Sequence, residues 1–293
     1  MKILFLGDVV GISGSSKILN NLKSEIQKNP MMRMFGEDVA DFSELEKLDN
    51  EQLKGKGGVF KVSAGCQRVS KEGQVFNSPL AEANIIGRAI GMAMRGLKPI
   101  GEIQYLDYLV YALPALTDDL ATLRWRTNGI QKSPTIIRTR GHRLEGIWHS
   151  GSPMGGLVNI LRGIYILSPR NMTQAAGMYN ALLKANEPAI VIEPLSGYRS
   201  KEALPENIGH FTTPIGEIEV IEEGSDITVV SYGSTLKIVC EASERLRTFG
   251  ILCEIIDAQT LWPFDKNRRT VESLKKTNRL AIIDEDVPGG YSA

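Results

Sequence analysis

A single carboxylate, Glu82, stands where a helix is predicted to begin. Ser78 suits the capping position and Pro79 the first helical position, and apolar residues then recur at spacings of three and four along residues 85–94. Gly96 is a helix-stop signal, and a short apolar run follows it as a buried strand. The plain interpretation of Glu82 is that it complements the helix dipole. A carboxylate beside a buried helix and strand is also suited to proton transfer.

Four further side chains are candidates for chemistry, and each also has an ordinary structural explanation. His149 lies in residues 141–156, a segment rich in glycine and serine without apolar periodicity, so we predict a loop. A loop histidine is usually just exposed, but its titration near neutrality suits proton transfer. The ordinary explanation of Tyr108 is a core aromatic residue, that of Gln104 is an edge residue, and that of Glu37 is the end of a strand.

Composition and charge narrow the class of protein. The chain has 293 residues, enough for two domains with a core each, and its 34 basic residues balance its 34 acidic ones. This balance gives no indication of a nucleic-acid or membrane partner. The three cysteines form no CxxC pair, which fits a reduced compartment. No apolar run approaches the ~20 residues of a membrane span, and the start lacks a secretory pattern, so we expect a cytoplasmic protein.

The pattern of apolar runs predicts an α/β fold. Strand-like runs alternate with helical patterns, which favours a mostly parallel sheet covered on both faces. A polar stretch at 196–213, broken by Pro205 and Gly209, reads as a linker. Beyond it, strand-like runs recur, and a helix ends at Gly250. The strand-like runs are residues 31–35, 99–103, 135–137, 164–167, 189–192, 217–221, 227–231, 252–256 and 280–283.

The first residues do not follow this pattern. MKILFLGDVVG resembles the opening of a metallophosphoesterase family, in which the matching aspartate, here Asp8, is a metal ligand. One carboxylate cannot fill a metal's coordination shell, and the further ligand motifs of that family do not follow. We therefore expect residues 1–25 to be a foreign or fused segment, and no metal site.

Several motifs together resemble the beta subunit of the decarboxylating component of 2-oxoacid dehydrogenase complexes, a family of thiamine-diphosphate enzymes. The matching pieces, in the family's order and spacing, are FGEDVA at 35–40, SPLAEANIIG at 78–87, GLKP at 96–99, EIQ at 102–104, DY at 107–108 and WHS at 148–150. The resemblance implies an α/β transketolase-like pyrimidine-binding domain at 26–195 and a linker at 196–215. A transketolase C-terminal-like domain follows at 216–293, and we expect it to be truncated.

The resemblance also implies roles for the candidate residues. In that family a carboxylate hydrogen-bonds the pyrimidine ring nitrogen of the coenzyme and moves a proton there, and the matching residue is Glu82. Tyr108 matches an aromatic residue that stacks on the pyrimidine, and Gln104 a residue that lines the same pocket. His149 matches a histidine that reaches the site and steers either the carbanion-enamine intermediate or the acyl transfer to a lipoyl group. Glu37 matches an acid at the subunit contact.

The coenzyme's diphosphate requires residues that this sequence does not contain. In the family it is held through Mg²⁺ by a Gly-Asp-Gly motif and a later asparagine, and no Gly-Asp-Gly occurs here. The resemblance thus implies an alpha subunit that holds Mg²⁺, an α2β2 assembly, and a lipoyl acyltransferase core as partner. Alternatives are another transketolase-superfamily enzyme, a non-catalytic scaffold or hybrid fragment, and a phosphoesterase resting on Asp8 alone.

Overall fold

The computed structural model of the protein describes residues 11–42, 57–141 and 151–285. His142, His149 and Asp8 lie outside these ranges. The strands, in chain order, are β1 (Gly11–Ser13), β2 (Met32–Gly36), β3 (Val75–Asn77), β4 (Lys98–Glu102), β5 (Ile136–Gly141), β6 (Tyr165–Leu167), β7 (Ala189–Pro194), β8 (Lys201–Ala203), β9 (Glu219–Glu222), β10 (Ile227–Ser231), β11 (Cys253–Asp257), β12 (Thr260–Trp262) and β13 (Leu280–Ile282).

Helices separate most of these strands. They are α1 (Gly14–Lys28), α2 (Cys66–Val69), α3 (Glu82–Met94), α4 (Leu123–Arg126), α5 (Met154–Ile160), α6 (Met172–Lys184), α7 (Thr235–Arg247) and α8 (Arg269–Thr277). Between α3 and α4 the chain forms a 3₁₀ segment, Leu106–Ala112, and a π-helical segment, Ala115–Leu120. No helix in the described ranges is long and apolar enough to cross a membrane.

The larger sheet of the described chain has seven strands in the order β12-β6-β7-β5-β4-β2-β3. All neighbouring pairs are parallel except β12 with β6. Side chains alternate between its two faces, as the pleat requires: Ile190 and Ile192 of β7 face α3, whereas Ala189 and Val191 face α1 and α6. The predicted mostly parallel sheet with helices on both faces is confirmed.

Helix α3 begins later than the sequence predicts. Its first residue is Glu82, and the preceding Ala81 offers no side-chain cap. Ser78 and Pro79 lie before the capping position, and the backbone NH of Ser78 instead donates to the carbonyl of Gly36 at 2.9 Å. The predicted end is confirmed: Gly96 has φ +87°, a conformation that glycine adopts without strain. Glu82 therefore occupies the first turn of α3, as expected.

The expectation of a foreign start is wrong for residues 14–25. Helix α1 buries three apolar side chains, Ile18, Leu22 and Ile26, in the same core as α6 and the sheet. Asn21 adds hydrogen bonds from its side-chain amide to the Ala176 carbonyl at 3.3 Å and to Asn180 at 3.2 Å. The apolar spacing that predicts this helix also shows a face that must be buried, and the first domain supplies the partner. That domain therefore starts well before residue 26.

The predicted linker is partly structured. Residues 195–199 form a 3₁₀ turn, and β8 pairs antiparallel with β1, so Gly11 lies opposite Ala203. Beyond it, a second sheet has the order β13-β10-β11-β9, parallel except for β9. One face of this second sheet packs under α7 around Val229 and Ile255, and the other packs into the core of the first domain through Val230 and Ile256.

Candidate active site

The predicted site residues lie at one edge of the larger sheet. In the parallel register Gly36 lies opposite both Asn77 and Glu102, so the carboxyl ends of β2, β3 and β4 meet. Glu37 follows β2 directly, Glu82 opens the helix after β3, and residues 104–108 follow β4. The carboxyl ends of parallel strands are where α/β folds bind ligands. The chain thus brings these candidates to the expected edge.

Close backbone packing holds this edge together. A Cβ on Gly36 would lie 2.5 Å from the carbonyl oxygen of Glu102, so only glycine allows β2 and β4 to approach as they do. Asn77 adds a cross-link, because its side-chain oxygen accepts from the backbone NH of Ala40 at 2.7 Å. The segment after β2 that carries Glu37 is thereby tied to the end of β3.

Tyr108 lies within the electrostatic influence of two predicted carboxylates. Partial burial raises the pKa of its hydroxyl, and the negative charges of Glu37 and Glu82 raise that pKa further, together with Tyr105 and Asp107. The hydroxyl therefore stays protonated and neutral at physiological pH. Four of the five predicted residues, Glu37, Glu82, Gln104 and Tyr108, lie at this edge of the sheet.

Aromatic rings line the same place. The ring centroid of Tyr108 lies 5.9 Å from that of Tyr105, edge to face, and 6.2 Å from that of Tyr111. Phe60 approaches Tyr105 from the other side, at 6.3 Å. Tyr108 and Gln104 are half-buried, whereas Tyr111 is exposed. The half-buried ring of Tyr108 is thus held by aromatic neighbours at the same sheet edge as the two carboxylates, and the face of one such ring can stack on a planar heteroaromatic ring.

A buried charge network lies beneath the site, and the sequence analysis does not predict it. Arg138 donates two hydrogen bonds to Glu193, at 2.8 and 3.0 Å, and one to Glu102 at 2.5 Å. Glu102 also accepts from Arg140, and the hydroxyls of Tyr179 and Tyr198 donate to Glu193. All six side chains are buried. The sequence does carry a signal for it, because Glu102, Arg138 and Arg140 interrupt otherwise apolar strands.

The network keeps its charges at neutral pH. Burial alone would raise the pKa of the Glu193 carboxyl, but the charge and hydrogen bonds of Arg138 outweigh burial and hold that pKa below its usual value. Burial opposes the charge of Arg138 as well, and Glu193 with Glu102 keeps its pKa well above the usual range. Breaking such a network by removing one partner is strongly unfavourable. It therefore gives β4, β5 and β7 one fixed relative position under the site.

Two predictions need separate mention. His149 lies outside the described residues, so its place relative to Glu82 stays a prediction. In the described ranges no cluster of three or more His, Cys, Asp or Glu side chains forms a metal-binding group. A cavity of about 410 Å³ lies elsewhere, lined by the start of α6, by residues within 211–219 and by Gln259 and Arg269, and none of the predicted site residues lines it.

Comparison with known proteins defines the class. Residues 12–201 match the transketolase pyrimidine-binding domain, and residues 216–293 match the transketolase C-terminal domain. A solved structure described as a split-gene transketolase, an inactive beta4 tetramer, superposes with a TM-score of 0.71 at 21% identity, over 96% of this chain and 82% of the other. The chain therefore has the transketolase-type fold of thiamine-diphosphate-dependent enzymes.

Curated relatives narrow the family. The 2-oxoisovalerate dehydrogenase subunit beta of Bacillus subtilis is 32% identical over 92% of this chain and 78% of its own length. The mitochondrial counterpart in Dictyostelium discoideum is 33% identical over 94% and 71%. The pyruvate dehydrogenase E1 component subunit beta of Acholeplasma laidlawii is 32% identical over 89% and 76%. The chain belongs to the beta-subunit family of 2-oxoacid dehydrogenases, and the family match from residue 12 agrees with the packing of α1.

Proposed function

We propose that this chain is the beta subunit of a 2-oxoacid dehydrogenase that decarboxylates a 2-oxo acid and passes the acyl group to a lipoyl carrier. The observation that carries the proposal is the meeting of Glu82, Glu37 and Tyr108 at the carboxyl edge of the sheet. That edge lies within the matched pyrimidine-binding domain. Membership of the beta-subunit family supports the same activity.

Each site residue has a distinct role in this proposal. Glu82 exchanges a proton with the pyrimidine ring nitrogen of the coenzyme, from the first turn of α3. Tyr108 presents its ring to the pyrimidine, and its neutral hydroxyl adds no competing charge. Gln104 lines the same pocket, and Glu37 connects the site to the subunit contact. His149, in the segment after β5 for which the sequence predicts a loop, moves protons during acyl transfer.

The coenzyme supplies the reactive carbon that attacks the 2-oxo group, and this chain supplies orientation and proton transfer. Buried strands and the charge network fix the edge from below, so the carboxylate and the aromatic rings need little reorganisation when the coenzyme binds. Orientation of this kind lowers the entropic part of the barrier.

The diphosphate half requires a partner in this proposal. Mg²⁺ prefers several oxygen ligands, and an alpha subunit with a Gly-Asp-Gly motif would hold it together with the phosphates. We propose an α2β2 assembly in the cytoplasm, with a lipoyl acyltransferase core as the acceptor complex. Neither nucleic acid nor membrane is part of the proposal.

Titration calorimetry tests whether this chain needs an alpha subunit to bind the coenzyme. The full chain alone, with thiamine diphosphate and Mg²⁺, is expected to bind weakly and to show no turnover. Addition of an alpha chain with a Gly-Asp-Gly motif should produce both tight binding and decarboxylation. The chain alone makes only part of the contacts to the coenzyme, and affinity falls exponentially as binding free energy is lost. Micromolar binding with turnover by the chain alone would contradict the shared site.

The same experiment with different substrates distinguishes the proposed activity from that of a transketolase, the nearest alternative. Branched-chain 2-oxo acids and pyruvate are offered to the reconstituted complex, beside a ketose phosphate as donor substrate. Turnover of a ketose without turnover of any 2-oxo acid would indicate a transketolase instead. Assembly without any turnover would indicate a scaffold.

A further inference from the structure

One buried guanidinium, that of Arg140, holds the segment that carries Gln104 and Tyr108. Arg140 is the fifth residue of β5 and is only 1% exposed. Its Nη1 donates to the backbone carbonyl of Gln104 at 3.0 Å, and its Nη2 donates to the Glu102 carboxylate. A single rigid group thus joins the end of β5 to the end of β4 and to the first residue of the site segment.

A second route leads from Arg140 to the same segment through aromatic rings. The guanidinium lies 5.4 Å from the centroid of Phe60 and 6.0 Å from that of Tyr198. Phe60 packs edge to face against Tyr105, which in turn packs against Tyr108. Cation–π contacts of a desolvated guanidinium are among the stronger ones. Both the backbone and the rings of the segment therefore depend on Arg140.

Arg138 and Arg140 together balance the negative charges of Glu102 and Glu193, but only Arg140 reaches the site segment. Arg138 is equally buried and pairs with both carboxylates, yet among the described residues its side chain donates no hydrogen bond to residues 104–108. Arg140 brings a second cation to Glu102 and leaves its own Nε without a hydrogen-bond partner among the described residues. Charge balance therefore accounts for the second buried cation, and the hydrogen bond to the Gln104 carbonyl is the contact that is particular to Arg140.

We propose that Arg140 is a positioning residue for the coenzyme's pyrimidine ring, acting through the Gln104 carbonyl and the Tyr105–Tyr108 ring pair. This inference rests on the proposed function for its consequence, which is tighter coenzyme binding with little effect on the chemical step. The planar fork reaches Gln104 and Glu102 together, whereas the single ammonium of lysine keeps the charge but cannot hold both partners in that geometry.

The first measurement is independent of activity. Hydrogen–deuterium exchange on the full chain compares Arg140→Lys with Arg138→Lys, a matched control in the same network. In Arg140→Lys the amides of residues 104–112 should exchange on the order of tenfold faster, the factor that loss of one charge-assisted hydrogen bond gives. In Arg138→Lys the change should fall instead on β7 and on β4, which carry its partners Glu193 and Glu102. Unchanged exchange at 104–112 in Arg140→Lys overturns the proposal.

The second measurement uses the complex with its alpha partner. Arg140→Lys should raise the KM for thiamine diphosphate on the order of tenfold and leave kcat at saturating coenzyme within a few fold, whereas Arg138→Lys should leave that KM near the wild-type value. Equal KM changes in both variants would make Arg140 merely structural. Absence of coenzyme-dependent turnover in the wild-type complex overturns the proposed function, while the exchange experiment still decides the role of Arg140.

A further variant tests the proposal if Arg140→Lys does not fold. Phe60→Leu keeps every charge and removes the ring that links the guanidinium to Tyr105. Faster exchange at 104–112 in Phe60→Leu supports the proposal, and wild-type exchange there overturns it.

Discussion

At the scale of single residues, Glu82 has two explanations that make different predictions. A carboxylate that only complements the helix dipole contributes a few tenths of a kcal/mol to about 1 kcal/mol of stability and nothing to turnover. A carboxylate that exchanges a proton with the coenzyme contributes to the rate and little to stability. Glu37 and Glu82 both raise the pKa of Tyr108, and such a group of side chains at one sheet edge agrees with the second role.

Glu82→Gln separates these explanations. The variant keeps the size of the side chain and removes the ionisable group, so the reconstituted complex should still bind coenzyme but decarboxylate ~100 to 10,000 times more slowly. Glu206→Gln, at an exposed position of the linker, is the matched control and should behave as wild type. A Glu82→Gln complex that works within a few fold of wild type would establish the dipole explanation.

A second carboxylate, that of Glu202 in β8, accepts hydrogen bonds from two helices, α1 and α6. It accepts from the backbone NH groups of Met172 and Thr173, at 3.0 and 3.1 Å, from the Thr173 hydroxyl at 2.7 Å and from the buried Lys17 ammonium at 3.1 Å. Burial alone would raise the pKa of this carboxyl, but the donors, led by Thr173 and Met172, hold it below its usual 4.5. The folded state therefore favours the ionised form.

The pH dependence of stability follows from that lowered pKa. The contribution of Glu202 is fully present above pH 4.5 and is lost as the pH falls through the folded-state pKa. Glu202→Gln should lower the free energy of unfolding by about 1.5–3 kcal/mol at pH 7. Urea titrations at pH 7 and below pH 4.5 should show the gap between wild type and variant narrowing in acid. A gap that widens in acid would reverse the assignment.

At the scale of elements, α1 decides where the first domain begins. Its buried face joins the core that α6 and the sheet share, and its Asn21 bonds to α6. A foreign segment would have neither contact. The helix was predictable from its apolar spacing. Its packing against α6 and the sheet was not, because none of the family motifs lies in the first 25 residues.

Leu22→Ala tests the membership of α1 in the core. Leu22 is 1% exposed, so the truncation should cost about 2–5 kcal/mol of unfolding free energy. Asn20→Ala, on the exposed side of the same helix, should change it by less than about 0.5 kcal/mol. Guanidinium-induced unfolding followed by circular dichroism measures both. Equal small effects would mean that α1 is a dispensable attachment.

Most of the longer strands were predictable from sequence, but the three-residue strands β1, β3, β8 and β12 and the network beneath the site were not. Apolar runs are local, so residues 227–231 and 189–192 could be recognised as strands within a few residues of their bounds. Arg138 meets Glu102 and Glu193 across 36 and 55 residues, and no local pattern encodes that pairing. Family motifs identify the candidate site residues but not their positions in space. Those positions follow from the strand register of β2, β3 and β4.

At the scale of the whole molecule, one arginine ties the two sheets together. Arg170, just before α6, donates to Glu219 of β9 at 2.6 and 3.0 Å and to Asp257 of β11 at 2.7 Å. Asp257 is fully buried, and burial raises the pKa of its carboxyl although Arg170 and Gln174 donate to it. The bridge therefore compensates a buried charge at the junction of the two domains.

Removal of that arginine should weaken the junction. Arg170→Ala leaves Asp257 buried without its cation, so the free energy of unfolding should fall by roughly 3 kcal/mol, the lower end for a broken buried pair since Arg170 is partly exposed. Lys28→Ala, which breaks the exposed pair with Glu25, should cost less than about 1 kcal/mol. Thermal unfolding monitored by calorimetry compares them. Equal costs would show that the bridge is no more than a surface ion pair.

The pairing of strand β12 determines where the chain can be cut into separate domains. The strand follows β11 of the second sheet, yet it pairs with β6 and forms the outer strand of the larger sheet, with Thr260 opposite Leu167. A fragment cut after the first family match, at residue 201, would lack β12 and present the bare backbone of β6 to solvent. Uncovered strand edges recruit other chains. Such a fragment should form insoluble aggregates on expression, and restoring residues 202–285 should return it to solution.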